Sequence, residues 1–195
     1  FKLEKKTKIY KINEKPNKAI SKKDYKIFLN ENLKNNLTNS LQLIGQTRLV
    51  TNGSKFSYKN NQPLQTKNIV GVHNGIFTNL QDFDEKKTEN LESYNIKSDS
   101  LTFFEELSKL ADSDNFFSLY LNFIENIIGN YSIAFQVRNE NKIVISSNCG
   151  SLYYYFDGVF FSFASERKIL IDFLKKSKLF KNKSFDYNRI SKCLN

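Results

Sequence analysis

The chain has 195 residues, 39% of them apolar and 14% aromatic, which suffices for one packed domain and excludes a collagen-like or low-complexity chain. Its formal charge of +10 invites a nucleic-acid partner, but only Arg48, Arg138, Arg167 and Arg189 are arginines, and the lysines are scattered among asparagines. The side chain that grips phosphates bidentately is therefore scarce, and composition argues against nucleic acid. Cys149, Cys193 and a single His form neither a disulfide framework nor a zinc site. No run approaches the roughly 18 apolar residues of a membrane helix, so the expected setting is a reducing, cytoplasmic one without metal, cofactor or membrane.

In chain order, Lys2–Ile12 alternates weakly, as one amphipathic strand would, and Asn13–Lys23 is polar with Pro16, a loop. Tyr25–Leu37 has the spacing of a short helix, and Ser40–Val50 reads as a buried strand. Thr51–Leu64 is a loop closed by Pro63. Asn68–His73 is a short strand, with Asn74-Gly75 as a turn dipeptide ahead of Ile76-Phe77. Ser98–Leu110 is a helix with Ser98 as N-cap and Leu101, Phe104, Leu107 and Leu110 on one face. Asp114–Ile128 repeats that pattern through Phe117, Leu121, Ile124 and Ile128, with Gly129 as its cap.

The period then changes. Tyr131–Val137, Lys142–Ser147, Leu152–Phe156 and Val159–Phe163 are short β-branched or aromatic runs separated by turn residues, with Asp157-Gly158 a two-residue hairpin signal. A helix is expected from Ser165 through Leu174, and Tyr187–Leu194 starts another. Hairpins around a helical block indicate an α+β fold with antiparallel sheets.

Chemistry concentrates in Gly45–Gly53 (GQTRLVTNG), Asn60-Asn61-Gln62-Pro63 and Gly71–Asn79 (GVHNGIFTN). Arg48 suits bidentate capture of a carboxylate. An Asn side-chain amide with a Gly backbone N–H can form an oxyanion hole, and Gly permits close approach. Each element alone is compatible with a surface ion pair and a simple chain reversal. Their order is not.

This combination resembles the class II glutamine amidotransferases, a family with the N-terminal-nucleophile fold that includes glucosamine-6-phosphate synthase, amidophosphoribosyltransferase and asparagine synthetase. Gln46–Gly53 resembles its HTRxATxG, Asn60–Pro63 its NxxP, and Val72–Asn79 its VHNGxxxN. The likeness continues at Ser98-Asp99, at Gly129–Ala134 (GxYA) and at Phe163–Leu170 (FASExKAL), spanning about Leu41 to Leu174. It implies a four-layer αββα sandwich of two mainly antiparallel sheets and hydrolysis of glutamine to glutamate and ammonia for a synthase domain. Arg48 would bind the α-carboxylate, Asp99 the α-ammonium, Thr51 and Asn52 would line the pocket, and Asn74 and Gly75 would form the oxyanion hole.

The departures are specific. The family nucleophile is an N-terminal Cys, whereas this chain begins with Phe1 and lacks the RGxDSxG stretch. Gln46 replaces the common His, Leu49 the frequent Trp, and Asn52 a frequent His. Two readings stay open: the nucleophile and first strands precede Phe1, or the fold is a non-catalytic interaction or scaffold module. Retention of Arg48, Asn74, Gly75 and Asp99 favours the first. Cys149, in a turn before Gly150-Ser151, is not expected to act as nucleophile, and His73 reads as structural. Residues 1–195 are expected to form a single domain, with 185–195 leading towards a synthase. VHNGIFTN is nearer to the first two enzymes, while Leu152–Tyr155 before FASE and the tail Phe185–Leu194 favour an asparagine-synthetase-like acceptor.

Overall fold

The computed structural model describes residues 7–12, 14–33, 41–47, 61–80, 98–138, 142–176 and 185–194. Arg48, Thr51 and Asn52 lie outside them, as do Lys2–Lys6. Two antiparallel sheets and five α-helices make up the described part.

The first sheet has the order β1-β2-β3-β4, from β1 (Leu64–Gln65), β2 (Ile69–Phe77), β3 (Gly129–Val137) and β4 (Ile143–Ser147). Helices α3 (Asp99–Leu110) and α4 (Phe116–Glu125) pack on one face of it. They follow α1 (Pro16–Ser21) and α2 (Lys23–Leu33) in the chain. The core is aromatic: Phe77 stacks on Phe103 with centroids 4.6 Å apart, and Phe104, Phe116 and Tyr120 close around Phe135. Gly71 is required here, because a Cβ at that position would run into the Phe104 ring.

The second sheet, β6-β5-β7, contains β5 (Tyr153–Phe156), β6 (Phe161–Ala164) and β7 (Ile190–Lys192). Helix α5 (Arg167–Lys176) lays Leu170 and Leu174 against Tyr155 to form a smaller core. Among the described residues no helix is long and apolar enough to cross a membrane.

The α+β class with antiparallel sheets is as expected, and several elements differ from expectation. Pro16–Ser21 is helical rather than a loop, since Pro at the first helical position is preorganised for that conformation. Residues 41–47 alternate between exposed and half-buried and form no strand. Asn74-Gly75 is not a turn: β2 runs unbroken from Ile69 to Phe77 and pairs residue by residue with β3. Gly129 does not cap α4 but opens β3 at φ 142°. Helix α4 buries Phe116, Tyr120 and Ile124. Of the expected stripe, Ile124 is buried as expected, Phe117 and Leu121 are exposed with their preceding neighbours Phe116 and Tyr120 buried instead, and Ile128 is exposed beyond the helix end. Four residues, not two, join β5 to β6; Asp157 Oδ1 accepts from the N–H groups of Val159 and Phe160. The expected last helix is a 3₁₀ turn (Tyr187–Arg189) running into β7, which pairs with β5.

Candidate functional site

Strand β2 is buried through its first five residues, surfaces at Asn74, Gly75 and Ile76, and is buried again at Phe77. This exposed window opens where β2 has run past the two-residue β1 and, among the described residues, pairs with β3 alone. Gly75 has φ 141°, a conformation side chains disfavour, and a Cβ there would collide with the carbonyl oxygen of Asn130 on β3. Only glycine lets the two strands close at this point.

Both flanks of the window are fixed. At Phe77 the backbone N–H donates to Asp99 Oδ2 at 2.9 Å, which ties the far end of β2 to the first residue of α3. Helix α3 begins there because Ser98 accepts from the Leu101 N–H at 3.2 Å, and an acidic residue in the first turn complements the helix dipole. Ser100 Oγ donates to Asp99 Oδ1 at 3.3 Å and lies 2.7 Å from His73 Nδ1. With the hydroxyl proton committed to the carboxylate, Nδ1 of a neutral imidazole is the donor, completing a chain from His73 through Ser100 to Asp99. Among the described residues two of the carboxylate's roughly four acceptor positions are thereby used.

His73 is 3% exposed, and its ring stacks on Phe77 at 4.0 Å. Burial pushes its pKa down to about 4, partly opposed by the Asp99 carboxylate. It is a core imidazole, neutral at physiological pH. Its backbone is also clamped: the N–H donates to Gln62 Oε1 at 2.6 Å, and the carbonyl accepts from Gln62 Nε2 at 2.8 Å and from Gln46 Nε2 at 2.7 Å. Sequence reasoning singled out neither Gln62 nor Ser100; the adjacency of Gln62 to Pro63 within the NxxP stretch was the available signal.

The opposite face of the sheet carries a polar row. Asn74 pairs with Ser132, and Ser132 with Ser147, so the three residues share one face. Ser132 Oγ and Ser147 Oγ are 2.8 Å apart, and Cys149 Sγ lies 3.6 Å from the first and 3.7 Å from the second. Burial raises the Cys149 thiol pKa, but hydrogen bonds with Ser132, Ser151 and Ser147 outweigh it and bring it down to about 7. Asn79, the last residue of the GVHNGIFTN stretch, accepts from the Ile128 N–H at 3.0 Å and donates to the Asn126 carbonyl at 2.8 Å. It staples the end of β2 to the connection entering β3.

Of the residues expected to form a site, Asn74, Gly75 and Asp99 are brought together around one strand segment; Arg48, Thr51 and Asn52 lie outside the described residues. A family model described as a glutamine amidotransferase domain matches residues 46–172, which contain all six. No curated protein matches the chain.

Proposed function

The chain belongs to the glutamine amidotransferase domain family, and on that premise we propose that it binds glutamine at the Asn74–Ile76 window and hydrolyses it to glutamate and ammonia. The observation that carries this reading is the opening of a buried strand at an Asn-Gly pair. Donors fixed before the reaction, aimed where negative charge develops, are what acyl transfer requires.

The Asn74 side-chain amide and the Gly75 N–H receive the oxyanion. Asp99 offers its free acceptor positions to the α-ammonium, and Arg48 takes the α-carboxylate, with Thr51 and Asn52 lining the pocket. A thiolate attacks the amide carbon, the C–N bond breaks with proton transfer to the departing ammonia, and water hydrolyses the thioester to glutamate. On the family pattern that thiol belongs to an N-terminal Cys, and no residue of 1–195 is assigned the role. The layered αββα sandwich of the family accommodates the two antiparallel sheets seen here. The ammonia passes to a synthase domain; Leu152–Tyr155 ahead of the FASE-like strand supports an asparagine-synthetase-like acceptor, while the helical tail expected in its favour is instead β7.

Substitution Arg48→Ala tests the substrate assignment in the full-length protein. A raised KM for glutamine with kcat largely kept is the expected result. An unchanged KM removes Arg48 from the pocket, and absence of glutamine binding by calorimetry favours a non-catalytic module.

A further inference from the structure

We infer that Gln62, supported by Gln46, is a positioning residue that aims the Asn74–Gly75 donors; this rests on the glutamine-hydrolysis reading above. The ladder between β1 and β2 pairs Gln65 with Val70 and Leu64 with Gly71. Continued by two residues, that register sets Pro63 opposite Val72 and Gln62 opposite His73. Pro63 stands opposite Val72, whose backbone faces β3, so its missing N–H removes no bond to β2. At the next position the Gln62 side chain makes the two bonds a strand backbone would make, accepting from the His73 N–H at 2.6 Å and donating to the His73 carbonyl at 2.8 Å. A primary carboxamide carries the same donor and acceptor as a peptide group and can stand in for it.

The substitution has two consequences. A side chain terminates the ladder where a backbone would have continued it, so among the described residues no strand pairs with that edge of β2 beyond His73. Among the described residues nothing pairs with the edge beside Asn74, Gly75 and Ile76, and all three are exposed. In addition, the carbonyl held by Gln62 belongs to the His73–Asn74 peptide, the same planar unit that carries the Asn74 N–H. A second donor, Gln46 Nε2, reaches that carbonyl at 2.7 Å. With Phe77 N–H bonded to Asp99 on the other side, the window is fixed at both ends.

Gln46 and Gln62 also bracket the chain segment that carries Arg48, Thr51 and Asn52. Both ends of the segment assigned to the substrate's α-carboxylate therefore converge on one peptide oxygen beside the assigned oxyanion donors. Gln62 should accordingly act on turnover rather than on affinity.

In the full-length protein, Gln62→Ala is expected to lower kcat for glutamine hydrolysis about 10²-fold, the typical cost of misplacing a donor by around 1 Å. KM should stay within about threefold, because ground-state binding is not what Gln62 serves. Gln62→Glu keeps the acceptor and loses the donor at neutral pH. Protonation restores an O–H, so its deficit should narrow on acidification while that of Gln62→Ala does not. If Gln62→Ala does not fold, Gln46→Ala, which removes one of two donors to the same carbonyl, should show the same split in weaker form. Unaltered kcat in these variants, beside an impaired Asn74→Ala, overturns the positioning role and leaves the hydrolysis reading standing. Independently of turnover, backbone order parameters at Asn74 and Gly75 in the full-length protein should fall from about 0.85 to below about 0.6 in Gln62→Ala. Unchanged order at both positions overturns the inference whatever the fate of the hydrolysis reading.

Discussion

At the residue scale, burial holds the His73 imidazole at about 4, against 6.5 for the free side chain, with Asp99 pulling the other way. The unfolded chain takes up a proton between those values and the folded chain does not. The resulting stability is fully present above about pH 6.5 and is lost as pH falls towards 4, by ~3 kcal/mol. Urea unfolding at pH 7 and pH 4.5 should show this loss in the parent and a smaller one in His73→Gln; equal losses would remove His73 as the cause. Gly75→Ala meets a φ of 141° and the Asn130 carbonyl together, so it should part β2 from β3 and abolish glutamine binding by calorimetry. Retained binding in that variant would mean the window does not depend on close approach of the two strands. The grouping of these residues was legible beforehand: Asn74, Gly75 and Asp99 were named from the order of motifs, and they meet around one strand segment. Their backbone setting was not, because Asn-Gly is a turn signal only where no neighbouring strand competes for it. Here nine register pairs with β3 do.

At the element scale, the amphipathic period identified α3 and its cap, but in α4 it placed Ile124 correctly and the first two stripe positions one residue late. Phe116, Phe117, Tyr120 and Leu121 offer two overlapping apolar faces, and period alone does not choose between them. The choice follows from Phe135 on β3, against which Phe116 and Tyr120 pack at 6.4 and 5.4 Å. Tertiary contact also decides the tail, where β5 offers an open edge and Ile190–Lys192 joins it as a strand. Gln62 was illegible for a related reason: a carboxamide standing in for a strand is visible only once the register of β1 on β2 is known. The connection into β3 supplies a test at this scale. Asn79→Ala removes acceptor and donor at once and should destabilise the fold by about 0.5–1.5 kcal/mol, because both bonds are exposed and the freed groups can turn to water. Denaturant unfolding measures it, and a change below about 0.5 kcal/mol would mean the staple contributes little.

At the scale of the whole molecule, two antiparallel sheets, each with its own helical cover, follow from hairpins around a helical block, as the order of motifs indicated. The smaller core depends on few side chains. Leu170→Ala, at 1% exposure, should cost about 2–5 kcal/mol in equilibrium unfolding. The first sheet, through β2, presents an exposed window at Asn74–Ile76 backed by buried His73 and Ser100, by part-buried Asp99 and by two glutamine side chains. The most direct measurement is glutamine hydrolysis by the full-length protein with and without Asn74→Ala. Loss of one oxyanion donor should slow turnover by roughly 10²–10³-fold while the variant remains folded. Turnover by a folded Asn74→Ala protein at the parent's rate would contradict the assignment of the window as the oxyanion site.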